Sequence, residues 1–188
     1  MIEMETTAEK MDMDVAGSGL DKNQQTQVAW GLTILRISLG VIILATWWSN
    51  ITQDPNFYSE EGLRGFFNWV QLDPEEGGNG ASLGFIHSLI DNTVLRAPTV
   101  IGFSQMIVEF FLGLGLLIGA FTRLTALLST AFFIGLFLTY FGGEEWIFTY
   151  VILATSSFAV FLGWAGRFLG VDQAIAAARG ESPGKLLW

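Results

Sequence analysis

Four apolar stretches, residues 28–48, 97–122, 124–141 and 146–168, constrain this chain more than any other feature of its sequence. A helix rises 1.5 Å per residue, so about 20 mostly apolar residues cross a bilayer, and the four stretches come close to that length. In lipid each backbone polar group must be satisfied within its own segment, which makes helices of them. The expected fold is therefore all-α, an integral membrane four-helix bundle over residues 28–170. The rest of the composition agrees: 51% of the 188 residues are hydrophobic and 14% are charged, an unusual balance for a soluble globule. Residues 1–27 are acidic, carry only Lys10 and Lys22 as basic residues and lack the basic start of a cleavable signal peptide. They are expected to form a disordered cytoplasmic tail, with a second cytoplasmic tail at 171–188.

Orientation follows from the basic residues, which stay on the cytoplasmic side of short connections. Lys10, Lys22, Arg123, Arg167, Arg179 and Lys185 fall in the tails and the second junction, whereas Arg64 and Arg96 fall in the first connection. Both termini are thus expected in the cytoplasm of a cell bounded by this plasma membrane, and the loop 51–95 outside. That loop holds seven acids and one arginine, and the chain carries a formal net charge of -9. Such a surface suits high ionic strength, a halophilic trait, and disfavours nucleic acid as a partner. Some 45 residues are too many for a structureless loop in a compact domain. Ser59 can cap a helix whose first turn carries Glu60 and Glu61, with Leu63, Phe66, Phe67 and Val70 at helical spacing. A second amphipathic helix is expected in ASLGFIHSLIDNTVL, with Leu83, Ile86, Leu89 and Ile90 on one face.

Within the spans, charge is scarce enough to be informative. Gly102, Gln105, Glu109 and Gly113 recur by three and four along the second span and form one small and polar stripe. An ionisable group there must face protein and is a functional candidate by default. The first span carries Arg36, on a stripe with Thr33, Gly40 and Trp47. Counting from the inner ends of the two spans leaves a depth difference of about 8 Å, within reach of an extended arginine. Arg36 and Glu109 are therefore the expected intramembrane pair and the candidate catalytic residues, with Gln105 and Trp47 beside them to bind a substrate or quinone head group. The alternative is that the pair only fixes helix register. Arg123 and Arg167 are either topology anchors or further binding residues.

The sequence has no cysteine, which excludes thiol, disulfide and persulfide chemistry on this chain. The single histidine, His87, lies in the outer loop, so a bis-histidine haem within the bundle is excluded and no metal site is expected. A redox role would borrow its electron carrier, a quinone or a partner chain, with no covalently bound cofactor. The expected partners are the lipid bilayer and other membrane subunits.

An arginine in LRISLGVIILATWW, a glutamate in VEFFLGLGLLIGAFTRLTAL and a closing GWAGRFLGVDQAI together resemble the DoxX and DoxD family of four-span membrane proteins, over about Val28 to Ile175. The resemblance implies the small-subunit type of thiosulfate:quinone oxidoreductase, in which electrons from thiosulfate pass to membrane quinone and tetrathionate is the product. It also implies that Arg36, Glu109, Arg123 and Arg167 are the family's recurrent charged positions. The other class of function is a non-catalytic accessory or scaffold subunit of a larger respiratory membrane complex.

Overall fold

The computed structural model describes residues 21–81 and 83–179, so the expected tails over 1–20 and 180–188 lie outside the described residues. Helix α1, Lys22–Thr52, starts before the expected span, because Asp21 and Gln24 form a capping box: Gln24 N donates to Asp21 Oδ1 at 2.7 Å and Asp21 N donates to Gln24 Oε1 at 2.9 Å. The cap region follows α1. It contains α2, Glu60–Gln71, and α3, Gly84–Asn92, with 3-10 turns at Pro74–Glu76 and Val94–Arg96. Helix α4, Pro98–Ile118, opens on a proline, which fits the first turn where no N–H is needed. It stops at Gly119, whose φ of 71° is the left-handed conformation that ends helices. Helices α5, Thr122–Thr139, and α6, Phe148–Leu162, follow, then a 3-10 turn at Ala165–Arg167 and α7, Val171–Arg179.

Helices α1, α4, α5 and α6 form the bundle: α1 packs against α4 and α6, and α5 against the same two. Leu39 and Ile43 of α1, Leu112 and Leu116 of α4, Ala126 and Phe133 of α5, and Ala154 and Val160 of α6 make the core. The outside is as apolar as the inside. Ile34, Val41, Phe103, Phe111, Leu128, Ile152 and Phe158 are all exposed, the arrangement of a protein solvated by lipid. Among the described residues three helices, α1, α4 and α5, are long and apolar enough to cross a membrane. The fourth apolar helix is shorter than the expected 146–168, since α6 ends at Leu162 and Trp164, with φ of 52°, turns the chain away.

Helix approach is set by glycine. A Cβ on Gly40 would lie 2.6 Å from Leu117 N and 2.9 Å from Gly113 O, so the backbones of α1 and α4 meet there. The cap is seated as firmly. Ser59 Oγ accepts from Gly62 N at 3.0 Å, as its capping role requires, and Leu63 and Val70 are fully buried. On α3, Ile86 and Ile90 face inward while Leu89 is 55% exposed, so the apolar face is narrower than the spacing suggested. Asn79 ties the cap to the α5–α6 connection, its carbonyl accepting from Glu144 N at 2.9 Å and its Oδ1 from Glu145 N at 3.2 Å.

Candidate functional site

Glu109 sits in the middle of α4, 2% exposed, and its carboxyl is surrounded by donors from three elements. Gln105, one turn earlier on α4, donates from Nε2 to Oε1 at 2.8 Å. The Tyr58 hydroxyl donates to Oε2 at 2.5 Å, and Asn50 Nδ2 of α1 approaches the same oxygen at 3.5 Å. Tyr58 is fixed by its own turn, where Asn56 Oδ1 accepts from Tyr58 N at 2.9 Å. Close passage over α4 is possible because Gly102 has no side chain; a Cβ there would strike the Tyr58 carbonyl. Burial, reinforced by the hydrogen bond to Glu109, raises the Tyr58 hydroxyl pKa, so Tyr58 remains a donor at physiological pH.

The Glu109 carboxyl borders a cavity of about 740 Å³ between the bundle and the cap. Its walls are largely apolar and aromatic, from Ile42, Ile43, Phe57, Phe66, Phe132, Phe133 and Leu136, and its polar groups include Asn50, Gln105, Glu109 and the tyrosines 140 and 150. Those two tyrosines stack with centroids 5.2 Å apart and planes at 13°. Gln53 and Asp54 stand at the exposed rim. The volume and the few converging polar groups are those of a site for an organic ring of moderate size.

The expected Arg36–Glu109 pair is not formed. The ion pair found among the described residues is Arg64–Glu60 on α2, at 2.9 Å. The reason is register. Gly40 lies against Gly113 and Leu117, and Trp47 Nε1 donates to the Met106 carbonyl at 3.0 Å, so Glu109 is level with Asn50 rather than with Arg36. Asn50 and Arg36 are about 21 Å apart along α1 at 1.5 Å per residue, beyond any side chain.

Arg36, 1% exposed, instead serves the opposite end of the bundle. Its Nη2 donates to the Leu169 carbonyl at 3.0 Å, and Asp172 acts on its charge. Asp172, also 1% exposed, accepts from Phe121 N at 2.7 Å and from Thr122 N at 2.8 Å, which caps the start of α5. Asp172 N in turn donates to the Gly119 carbonyl at 2.9 Å. The segments GAFTR and GRFLGVDQ, far apart in sequence, thus close on each other around one arginine and one aspartate. Trp47 packs on Phe110 at 5.0 Å between centroids and lies outside the cavity. Arg123 and Arg167 are also remote from it, with guanidinium carbons 4.0 and 5.7 Å from the centroid of Trp164.

Of the sequence candidates, the structure brings Glu109 and Gln105 together and separates Arg36, Trp47, Arg123 and Arg167 from them. Sequence reasoning missed Asn50, Tyr58, Tyr140 and Tyr150. Asn50 was legible in principle as an amide one turn beyond Trp47 on the Arg36 stripe; Tyr58 lies in a turn whose path no periodicity describes. Compared with known proteins, residues 31–142 match the family model described as DoxX. No curated protein and no solved structure matches the chain.

Proposed function

The chain belongs to the DoxX family, and from that premise we propose that it is the quinone-binding membrane subunit of a quinone-linked oxidoreductase. The observation that carries this reading is the cavity beside Glu109, which combines aromatic walls with amide donors and one buried carboxyl. A quinone head group is a flat apolar ring with two carbonyl acceptors, and its reduction takes two electrons and two protons. The residues present suit it: Asn50 and Gln105 carry N–H donors for a carbonyl, Phe66 and Phe132 flank a ring, and Glu109 can hold a proton at a carboxyl oxygen. Tyr58 and Gln105 keep that carboxyl oriented. The rim at Gln53 and Asp54 offers Glu109 a polar route to water.

With no cysteine to carry a thiol intermediate, electrons enter from a partner subunit. Thiosulfate is the donor the family resemblance favours: two thiosulfate ions lose one electron each and couple through a new S–S bond as tetrathionate. In this reading α6 is a fourth crossing, the membrane is the plasma membrane with both termini cytoplasmic, and the acidic cap meets a medium of high ionic strength.

The test is quinone content. The complex, purified gently from its native membranes, is expected to yield extractable quinone near stoichiometry. Glu109→Gln keeps the shape of the side chain but cannot hold the proton, so thiosulfate-dependent quinone reduction should fall by about 10² or more, the scale of a lost general acid. Thermal unfolding in detergent should stay close to the parent. A parent complex with no quinone and no saturable binding of a quinone analogue, but with a stoichiometric large membrane partner, would replace this reading with a scaffold.

A further inference from the structure

At the end of the bundle opposite the cavity, two arginines lean on one indole. The Arg123 guanidinium carbon lies 4.0 Å from the Trp164 centroid and 4.8 Å from that of Phe161, and Arg167 lies 5.7 Å from the same Trp164. Two cations drawn to one ring are like charges, and in a chain with a net charge of -9 a carboxylate partner would be easy to supply. Yet among the described residues neither arginine has an ion pair, and the Nε of each is buried without a hydrogen-bond partner. Arg123 stands in the first turn of α5, where the helix dipole is already positive and a cation is disfavoured. Asp172 caps the first amides of α5 and its charge acts on Arg36, but it forms no ion pair with Arg123 or Arg167.

The backbone around the pair is held in costly conformations. The non-glycine residues of positive φ among those described are Phe121, Trp164 and Leu169, at 49°, 52° and 51°, all in the two turns that carry the arginines. Strain of this kind persists where the surroundings over-determine it and concentrates at ligand sites. The location completes the picture: both arginines and Trp164 are half-buried and lie where the apolar helices α5 and α6 begin and end, the level of lipid headgroups.

We infer that Arg123, Arg167 and Trp164 form a phosphate-binding site filled by an anionic lipid headgroup. Two planar guanidiniums gathered on one indole offer bidentate hydrogen bonds to phosphate oxygens, and the bound anion offsets their like charge. A zwitterionic headgroup brings a cation to the same place and binds less well. A soluble phosphate shares the oxyanion chemistry but lacks the acyl chains that the exposed apolar faces of α5 and α6 would cover.

Native mass spectrometry of the full chain in detergent, offered phosphatidylglycerol, phosphatidylcholine or inorganic phosphate, tests this. The parent should retain phosphatidylglycerol about tenfold better than phosphatidylcholine, the equivalent of one charge-assisted hydrogen bond. R123Q/R167Q should lose that preference, R123K/R167K should keep part of it because charge remains without the planar stack, and R64Q in the cap should change nothing. If the double glutamine variant does not fold, R167Q alone decides, with a loss of at least about threefold expected from one such hydrogen bond. Undiminished phosphatidylglycerol retention in the folded glutamine variants overturns the site. So does capture of inorganic phosphate with no lipid, or a parent that retains neither, which would assign the arginines to acids of the chain itself.

Discussion

Arg36 and Asp172 illustrate how a buried charge decides local structure. Arg36 is buried with Nε and Nη1 lacking hydrogen-bond partners, so its compensation comes from the Leu169 carbonyl and from the Asp172 charge. Asp172 is buried too, with its oxygens satisfied by two amides. Removing one member of such a pair leaves the other charge uncompensated, at roughly 3–5 kcal/mol, whereas removing both costs less. Arg36→Met and Asp172→Asn should each lower apparent stability by that order, and the double variant should recover at least about 1 kcal/mol of the summed loss. Unfolding of all four proteins in mixed detergent reads the cycle; additivity within about 0.5 kcal/mol would show that the two residues act separately. Glu109 makes the contrasting case. Among the described residues its oxygens meet a tyrosine and two amides and no cation, which is what the proposed proton exchange with a quinone would require.

Between elements, glycines set the distances, and their neighbours predict what an added methyl does. A Cβ on Gly40 meets backbone of α4, the Leu117 N at 2.6 Å and the Gly113 O at 2.9 Å, which can yield only if the helices part. On Gly113 it meets Leu44 Cγ at 2.8 Å and Leu44 N only at 3.1 Å, a clash carried mainly by a side chain and less by backbone, and on Gly135 it meets nothing within 4 Å. Gly40→Ala should therefore destabilise by about 1–3 kcal/mol or more, Gly113→Ala by less, and Gly135→Ala should stabilise by roughly 0.5–1 kcal/mol through helix propensity. Thermal unfolding followed by circular dichroism gives the order, and Gly113→Ala as costly as Gly40→Ala would contradict it. The same glycine explains what was legible. Helix identity, the Ser59 cap and the Gln105–Glu109 contact follow from spacing within one element and were readable. The partner of Arg36 was not, because the apparent ends of the spans do not set relative depth; Gly40 packing on Gly113 and Leu117 does. Tyr58 was hidden for a related reason: its position over α4 depends on Gly102 and on a turn built around Asn56.

Among the described residues, acids predominate at one end of the bundle and basic residues at the other. Asp54, Glu60, Glu61, Asp73, Glu75, Glu76, Asp91, Glu144 and Glu145 all lie in the cap or in the α5–α6 connection beside it, accompanied by Arg64 and Arg96. Lys22, Arg36, Arg123 and Arg167 belong to the other end, where the described acids are Asp21 and Asp172. Basic residues next to spans are retained in the cytoplasm, so the cavity end should face outward and the Arg123–Arg167 end inward. The cysteine-free sequence makes this easy to measure. Glu75→Cys, exposed in the cap, should react with a membrane-impermeant maleimide in intact cells, whereas Asn23→Cys, exposed at the start of α1, should react only after the membrane is opened. The outcome bears on mechanism as well as on placement. If labelling follows the expected pattern, protons exchanged at Glu109 through the Asp54 rim come from the outer medium, and quinone reduction there would respond to external pH. The opposite pattern would turn Glu109 towards the cytoplasm and put the paired arginines among outer-leaflet headgroups, so that both sites would have to be reassigned to the other face together.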